Sequence, residues 1–276
     1  MERLTQTLRR KDSGGTPLPE FLPPLHEQGV HLRRAQVALI VGRPGAGKSL
    51  FALHAALHSG VRCLYVSADT DSKTMTWRAA ASLMGEPVNT IEEMTGTSAE
   101  EMVDEALAEV DARVGFDWTS SPTLLDIELE VAAAEETWGE YPGLIVIDSL
   151  FNVQADAGDD YADMRHVVAV MHDLARSTGA CVMVLHHATL NRSKEDEPAG
   201  MSAVLGQVTA VPELVLSVML DEEEDDVYRI AVVKNRSGAA SSKGRKQIRL
   251  AVDVERMRLY ANQQEKNLAQ TRRAWE

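Results

Sequence analysis

The octapeptide Gly42-Arg43-Pro44-Gly45-Ala46-Gly47-Lys48-Ser49 follows directly on the apolar run Val37-Ala38-Leu39-Ile40-Val41 and leads into a helical pattern over residues 49–57. A buried strand, a G-x-x-x-x-G-K-S turn and a helix in that order form a phosphate cradle. Small residues let backbone N–H groups wrap a triphosphate, the lysine reaches its β and γ phosphates, and the hydroxyl after it holds Mg²⁺ at the positive end of a helix. Gly42, Arg43, Pro44, Gly45, Ala46, Gly47, Lys48, Ser49 and Leu50 are therefore the expected nucleotide contacts, with ATP and Mg²⁺ as the ligands.

Apolar strand-like runs alternate with longer helical patterns on the C-terminal side of this turn, which implies an α/β fold with a mostly parallel sheet flanked by helices. Strands are expected over 61–67, 144–148 and 180–186, and helices over 74–84, 99–114, 123–138 and 161–178. In the helix over 99–114, Met102, Ala106, Val110 and Val114 recur at helical spacing. Beyond Gly206 the pattern changes to short strands over 214–220, 228–234, 246–252 and 256–260, read as antiparallel additions at one sheet edge. Residues 1–27 carry Pro17, Pro19, Pro23 and Pro24 and read as an arm excluded from helix and ladder strand; 28–262 form the ATPase domain and 263–276 a polar tail.

The 276 residues carry 44% hydrophobic content, enough for one large core, and a formal charge of −14, which is the wrong sign for a protein coating nucleic acid over its whole surface. A local basic channel remains compatible with that balance. Cys63 and Cys181 lie inside apolar strand patterns and read as reduced core residues. No apolar stretch approaches the roughly 20 residues of a membrane span, so the expectation is a soluble cytoplasmic protein with no membrane partner. The run from Asp221 to Asp226 reads as a solvated hairpin tip.

Asp148 closes the run Leu144-Ile145-Val146-Ile147, where a rigid strand end aims a carboxylate at Mg²⁺ beside Ser49. Hydrolysis also needs a group to orient or deprotonate water. Asp69 and Asp71 are the candidates; Asp69 is nearer the strand, while Asp71 fits a helix cap. His186 and His187 end a further strand at the same rim, where one of them can sense the γ-phosphate, whereas His54 and His58 read as ordinary helix residues. Lys234 and Arg236, in Lys234-Asn235-Arg236-Ser237-Gly238, are cations that can reach a neighbouring subunit's nucleotide as an arginine finger does.

Taken together, GRPGAGKS, the carboxylate in VSADTD, LIVIDS and KNRSG fall in an order that resembles the RecA-like ATPase core of hexameric replicative helicases of the DnaB type, particularly compact phage and plasmid versions. The resemblance spans about residues 28–260. It implies a ring of six subunits acting on single-stranded DNA in replication, with ATP at each interface and Lys234 and Arg236 working in trans. It also implies that the loops at 151–163 and 189–202 face the central channel, with Arg192 and Lys194 as phosphate-backbone contacts and Lys243 and Arg245 as alternatives. The family usually has Glu where this chain has Asp69, and often Gln at the position of His187. It further implies that the arm packs on the next subunit, or that a separate primase or loader takes part. A core-only recombinase or strand-annealing ATPase shares the fold, and the acidic residues of the two loops favour a third class, a nucleotide-switched assembly ATPase without nucleic acid.

Overall fold

The computed structural model describes residues 14–155, 159–189, 197–221, 223–224 and 226–273. A nine-stranded sheet organises them: β1 (Gln36–Gly42), β2 (Cys63–Ser67), β3 (Val114–Asp117), β4 (Leu144–Asp148), β5 (Cys181–His187), β6 (Leu214–Leu220), β7 (Val227–Asn235), β8 (Gln247–Asp253) and β9 (Arg258–Tyr260). Their order in space is β3-β2-β4-β5-β1-β6-β7-β8-β9. β3 through β6 in that order pair in parallel, whereas β6-β7-β8-β9 are antiparallel. The expected parallel core with an antiparallel edge is the fold observed.

The central strands are buried over almost their whole length because helices cover both faces. Ala38, Ile40, Val146 and Leu185 face one layer with Phe51 and Leu53 of α2 (Lys48–His58), which follows the short α1 (Pro23–Glu27). Val37, Leu39, Val41, Ile145 and Val184 face the other, with Val167, Val168 and Met171 of the long helix over Asp160–Thr178. That helix is α7, after α3 (Ser72–Met84), α4 (Val88–Met94), α5 (Glu100–Asp111) and α6 (Leu124–Trp138); α8 is Gln263–Arg273. Asp71 caps α3 through the Thr74 N–H at 3.0 Å, and Thr123 with Asp126 forms a capping box on α6.

Three elements differ from the sequence reading. The helix expected over 99–114 stops at Asp111, and Val114 opens β3 at the sheet edge; Val103 and Val110 face inward while Met102 is exposed. α4 occupies a stretch with no expected element. The proline-rich segment does form a helix, because Pro23 and Pro24 occupy first-turn positions, where a missing N–H costs nothing. From Leu18 on, that segment is part of this chain's own core: Leu18, Leu22 and Leu25 are all buried, and Pro17 bridges Arg33. Residues 1–13 of the expected arm lie outside the described residues. No helix among the described residues is long and apolar enough to cross a membrane.

Candidate nucleotide site

Parallel pairing brings four strand ends to one rim. Gly42 pairs with His187, and Ser67 with Asp148, so the phosphate loop, the end of β2, the β4 carboxylate and the β5 histidine emerge side by side. The loop residues Arg43–Gly47 connect β1 to α2, and Lys48 is the first residue of that helix. Gly47 has φ of 78°, in the region that favours glycine, and a Cβ there would stand 2.8 Å from the Tyr228 ring. The Tyr228 hydroxyl donates to the Gly47 carbonyl at 2.8 Å, so β7 holds the loop from behind.

The Lys48 ammonium donates to the carbonyls of Gly42 (3.2 Å) and Arg43 (3.0 Å). Burial pushes its pKa down, and the charges of Asp148 and Asp69 act to raise it. Asp148 is only 2% exposed. Burial pushes its carboxyl above the ordinary aspartate range, while hydrogen bonds from the Ser49 and Tyr65 hydroxyls and the charge of Lys48 oppose that shift. The Ser49 hydroxyl thus lies close enough to Asp148 to favour its charged form, and a hydroxyl and a carboxylate so placed can share one hard cation. The donor set fits Mg²⁺, and the glycine loop beside it fits a polyphosphate.

Asp69 is exposed just beyond β2, with its backbone N–H on the Asp148 carbonyl at 3.1 Å. Asp71 is used as the α3 cap, which leaves Asp69 as the carboxylate facing the site. His187 sits within the same field: burial lowers its pKa, Lys48 adds to that, and Asp69 and Asp148 oppose it. His186 points the other way, fully buried, with Nε2 on the Leu205 carbonyl at 3.0 Å. Leu50 packs its side chain in the core, so the site can use only its backbone N–H.

A cavity of about 340 Å³ lies against the loop, lined by Arg43, Pro44 and Gly45 with Glu197, Pro198 and Leu220. Lys243 and Arg245 line a neighbouring cavity of about 390 Å³ together with Arg43. Arg192 and Lys194 lie outside the described residues.

Lys234 and Arg236 are not brought to this rim. β7 runs antiparallel to β6, so Asn235 pairs with Leu214 at the opposite end of the sheet. There Lys234 donates to the carbonyls of Thr209 (2.7 Å) and Ala210 (2.8 Å), and Arg236 pairs with Glu213 at 3.1 Å. Glu213 also accepts from the Val37 N–H at the foot of β1. Neither cation can serve the nucleotide of its own chain.

The profile of the AAA domain family matches residues 15–193. The chain belongs to the AAA domain family. This AAA protein is an ATPase by that membership. It is similar to the Gene 65 protein of Mycobacterium phage L5, 35% identical across 87% of this chain and 91% of the relative. The Gene 65 protein of Mycobacterium phage D29 is 34% identical across 75% and 91%. Among solved structures, an ATPase domain superposes with a TM-score of 0.77 at 16% identity, covering 93% of this chain and 95% of that one. A DnaB-like replicative helicase, in a structure that also concerns its interactions with primase, gives 0.77 at 15% identity, covering 93% and 66%. The fold of this AAA protein is thus the RecA-like fold of DnaB-type helicase ATPase domains.

Proposed function

We propose that this AAA protein is an ATP-driven motor that translocates on single-stranded DNA and unwinds duplex during replication, as a ring of subunits. The observation carrying the reading is the convergence of Ser49, Asp148 and Lys48 at the rim of a fold shared with helicase ATPase domains. Lys48 holds the β and γ phosphoryl groups, with the loop N–H groups from Gly45 to Leu50 around them. Ser49 and Asp148 would hold Mg²⁺, which when bound would supply neutralising charge to the phosphoryl oxygens. Asp69 orients the attacking water and accepts its proton, and His187 senses the γ-phosphate. Lys234 and Arg236 act on the nucleotide of the adjacent subunit, a role supported by their distance from their own phosphate loop. Lys243 and Arg245 contact the strand's phosphates, and a separate primase or loader is a fitting partner.

The test is ATP turnover with and without single-stranded DNA. A motor turns over faster on DNA. Turnover indifferent to DNA would overturn the motor and leave a nucleotide-switched assembly ATPase, a reading favoured by the acidic residues Asp159 and Asp163 at the start of α7 and Glu197. Electron microscopy with a non-hydrolysable nucleotide separates closed rings from the filaments of a recombinase.

A further inference from the structure

Tyr65 lies in the middle of β2, opposite Val146 of β4 and two residues before Ser67, the partner of Asp148. Its side chain is fully buried, and its hydroxyl donates to Asp148 Oδ2 at 2.8 Å. The ring is itself fixed: Phe116 of β3 packs against it with centroids 5.3 Å apart, and Trp118 stacks on Phe116 at 5.0 Å and 3°. A buried phenol must place its O–H on an acceptor, and a buried carboxylate must find donors. Here each satisfies the other, so the phenol has one place for its proton and the carboxylate has one oxygen committed to it.

Ser49, in the first turn of α2, also acts on Asp148 from the side of the phosphate loop. Tyr65 belongs to the sheet. We propose that Tyr65 is a positioning residue for the site, fixing the Asp148 carboxylate so that its remaining lone pairs face the metal of a bound nucleotide. This rests on the ATPase reading above and adds to it a fully buried residue behind the metal-binding carboxylate. Partners of this kind orient a ligand carboxylate before the metal arrives, and their loss typically weakens metal binding about 10- to 100-fold. Tyr65→Phe removes the O–H and keeps the ring on Phe116.

The experiment measures binding rather than turnover. Free Mn²⁺ is followed by electron paramagnetic resonance in the full-length protein saturated with a non-hydrolysable ATP analogue, and analogue affinity is measured separately in EDTA. Tyr65→Phe is expected to raise the Mn²⁺ dissociation constant at least about tenfold while leaving metal-free analogue binding within about twofold of wild type. Phe116→Leu, which loosens the ring packing but keeps the hydroxyl on Asp148, is expected to leave the Mn²⁺ constant near that of wild type even if the melting temperature falls. An unchanged Mn²⁺ constant in Tyr65→Phe overturns the assignment. An equal rise in Phe116→Leu also overturns it, because packing alone then accounts for the effect. If Tyr65→Phe does not fold, 3-fluorotyrosine at position 65, which keeps ring and hydroxyl, must bind Mn²⁺ as wild type does, and failure there likewise sinks the claim. A wild-type protein that binds analogue identically with and without metal overturns the nucleotide-site reading itself.

Discussion

Replacing Gly47 by alanine tests how tightly β7 confines the phosphate loop. Two costs follow from the structure. The residue sits at φ of 78°, and an L-residue there costs roughly 1–2 kcal/mol. The new methyl would also stand 2.8 Å from Cε2 of Tyr228, whose ring is fully buried and whose hydroxyl is tied to the Gly47 carbonyl. Overpacking of that kind typically costs about 1–3 kcal/mol, for a total of about 2–5 kcal/mol. Gly45 supplies the control. It has a φ of 77° but open space around a Cβ, so Gly45→Ala carries only the backbone cost. Denaturant unfolding of the two variants should therefore differ by about 1–3 kcal/mol, with Gly47→Ala the weaker. In a Tyr228→Leu background the difference should shrink toward zero. Equal stabilities of the two alanine variants, within about 0.5 kcal/mol, would refute the claim that Tyr228 clamps the loop.

His186 has a pKa of about 4 in the folded protein against an ordinary 6.5, with burial the main cause. Its contribution to stability is intact above pH 6.5 and is lost as pH falls toward 4, because the unfolded chain takes up the proton first. Between pH 6.5 and 5 this amounts to about 1.5 kcal/mol, measurable as the part of the pH dependence of unfolding that disappears in His186→Gln. Burial pushes the Cys181 thiol up to about 12 and Cys63 higher still, so neither should react with an alkylating reagent until the chain unfolds, and labelling of either in the native state would contradict their core placement. Arg236→Ala should abolish turnover while leaving nucleotide affinity in place. Mixing it with Lys48→Ala should restore part of the activity if the guanidinium works across an interface, and no restoration would argue against a trans role.

The central strands were legible because β1, β4 and β5 are runs of residues buried on both faces, a pattern that few other structures produce. Their ends carry Gly42, Asp148 and His187, so the rim of the site could be read as well. β3 was not legible. It is four residues long, contains Gly115, and its Val114 extends the helical spacing of Val110. The seven residues of α4 are too few for a period to declare itself. The prolines at 23 and 24 argued against a helix only because their position in its first turn was unknown. Tyr65 and Tyr228 sit in apolar runs and look like core residues. Their hydroxyl partners lie 83 and 181 residues away and come within reach only through strand pairing, which no local pattern encodes. Glu213 escaped for the same reason, since its partner Val37 is 176 residues distant.

The whole account turns on Lys48, Ser49 and Asp148 acting as one metal–triphosphate site. Calorimetric titration of a non-hydrolysable ATP analogue, in Mg²⁺ and in EDTA, for wild type and Asp148→Asn, addresses that directly. Mg²⁺ should tighten binding to the wild type, and Asp148→Asn should lose most of that gain while its affinity in EDTA stays the same. An equal effect of Mg²⁺ on both proteins would contradict the account.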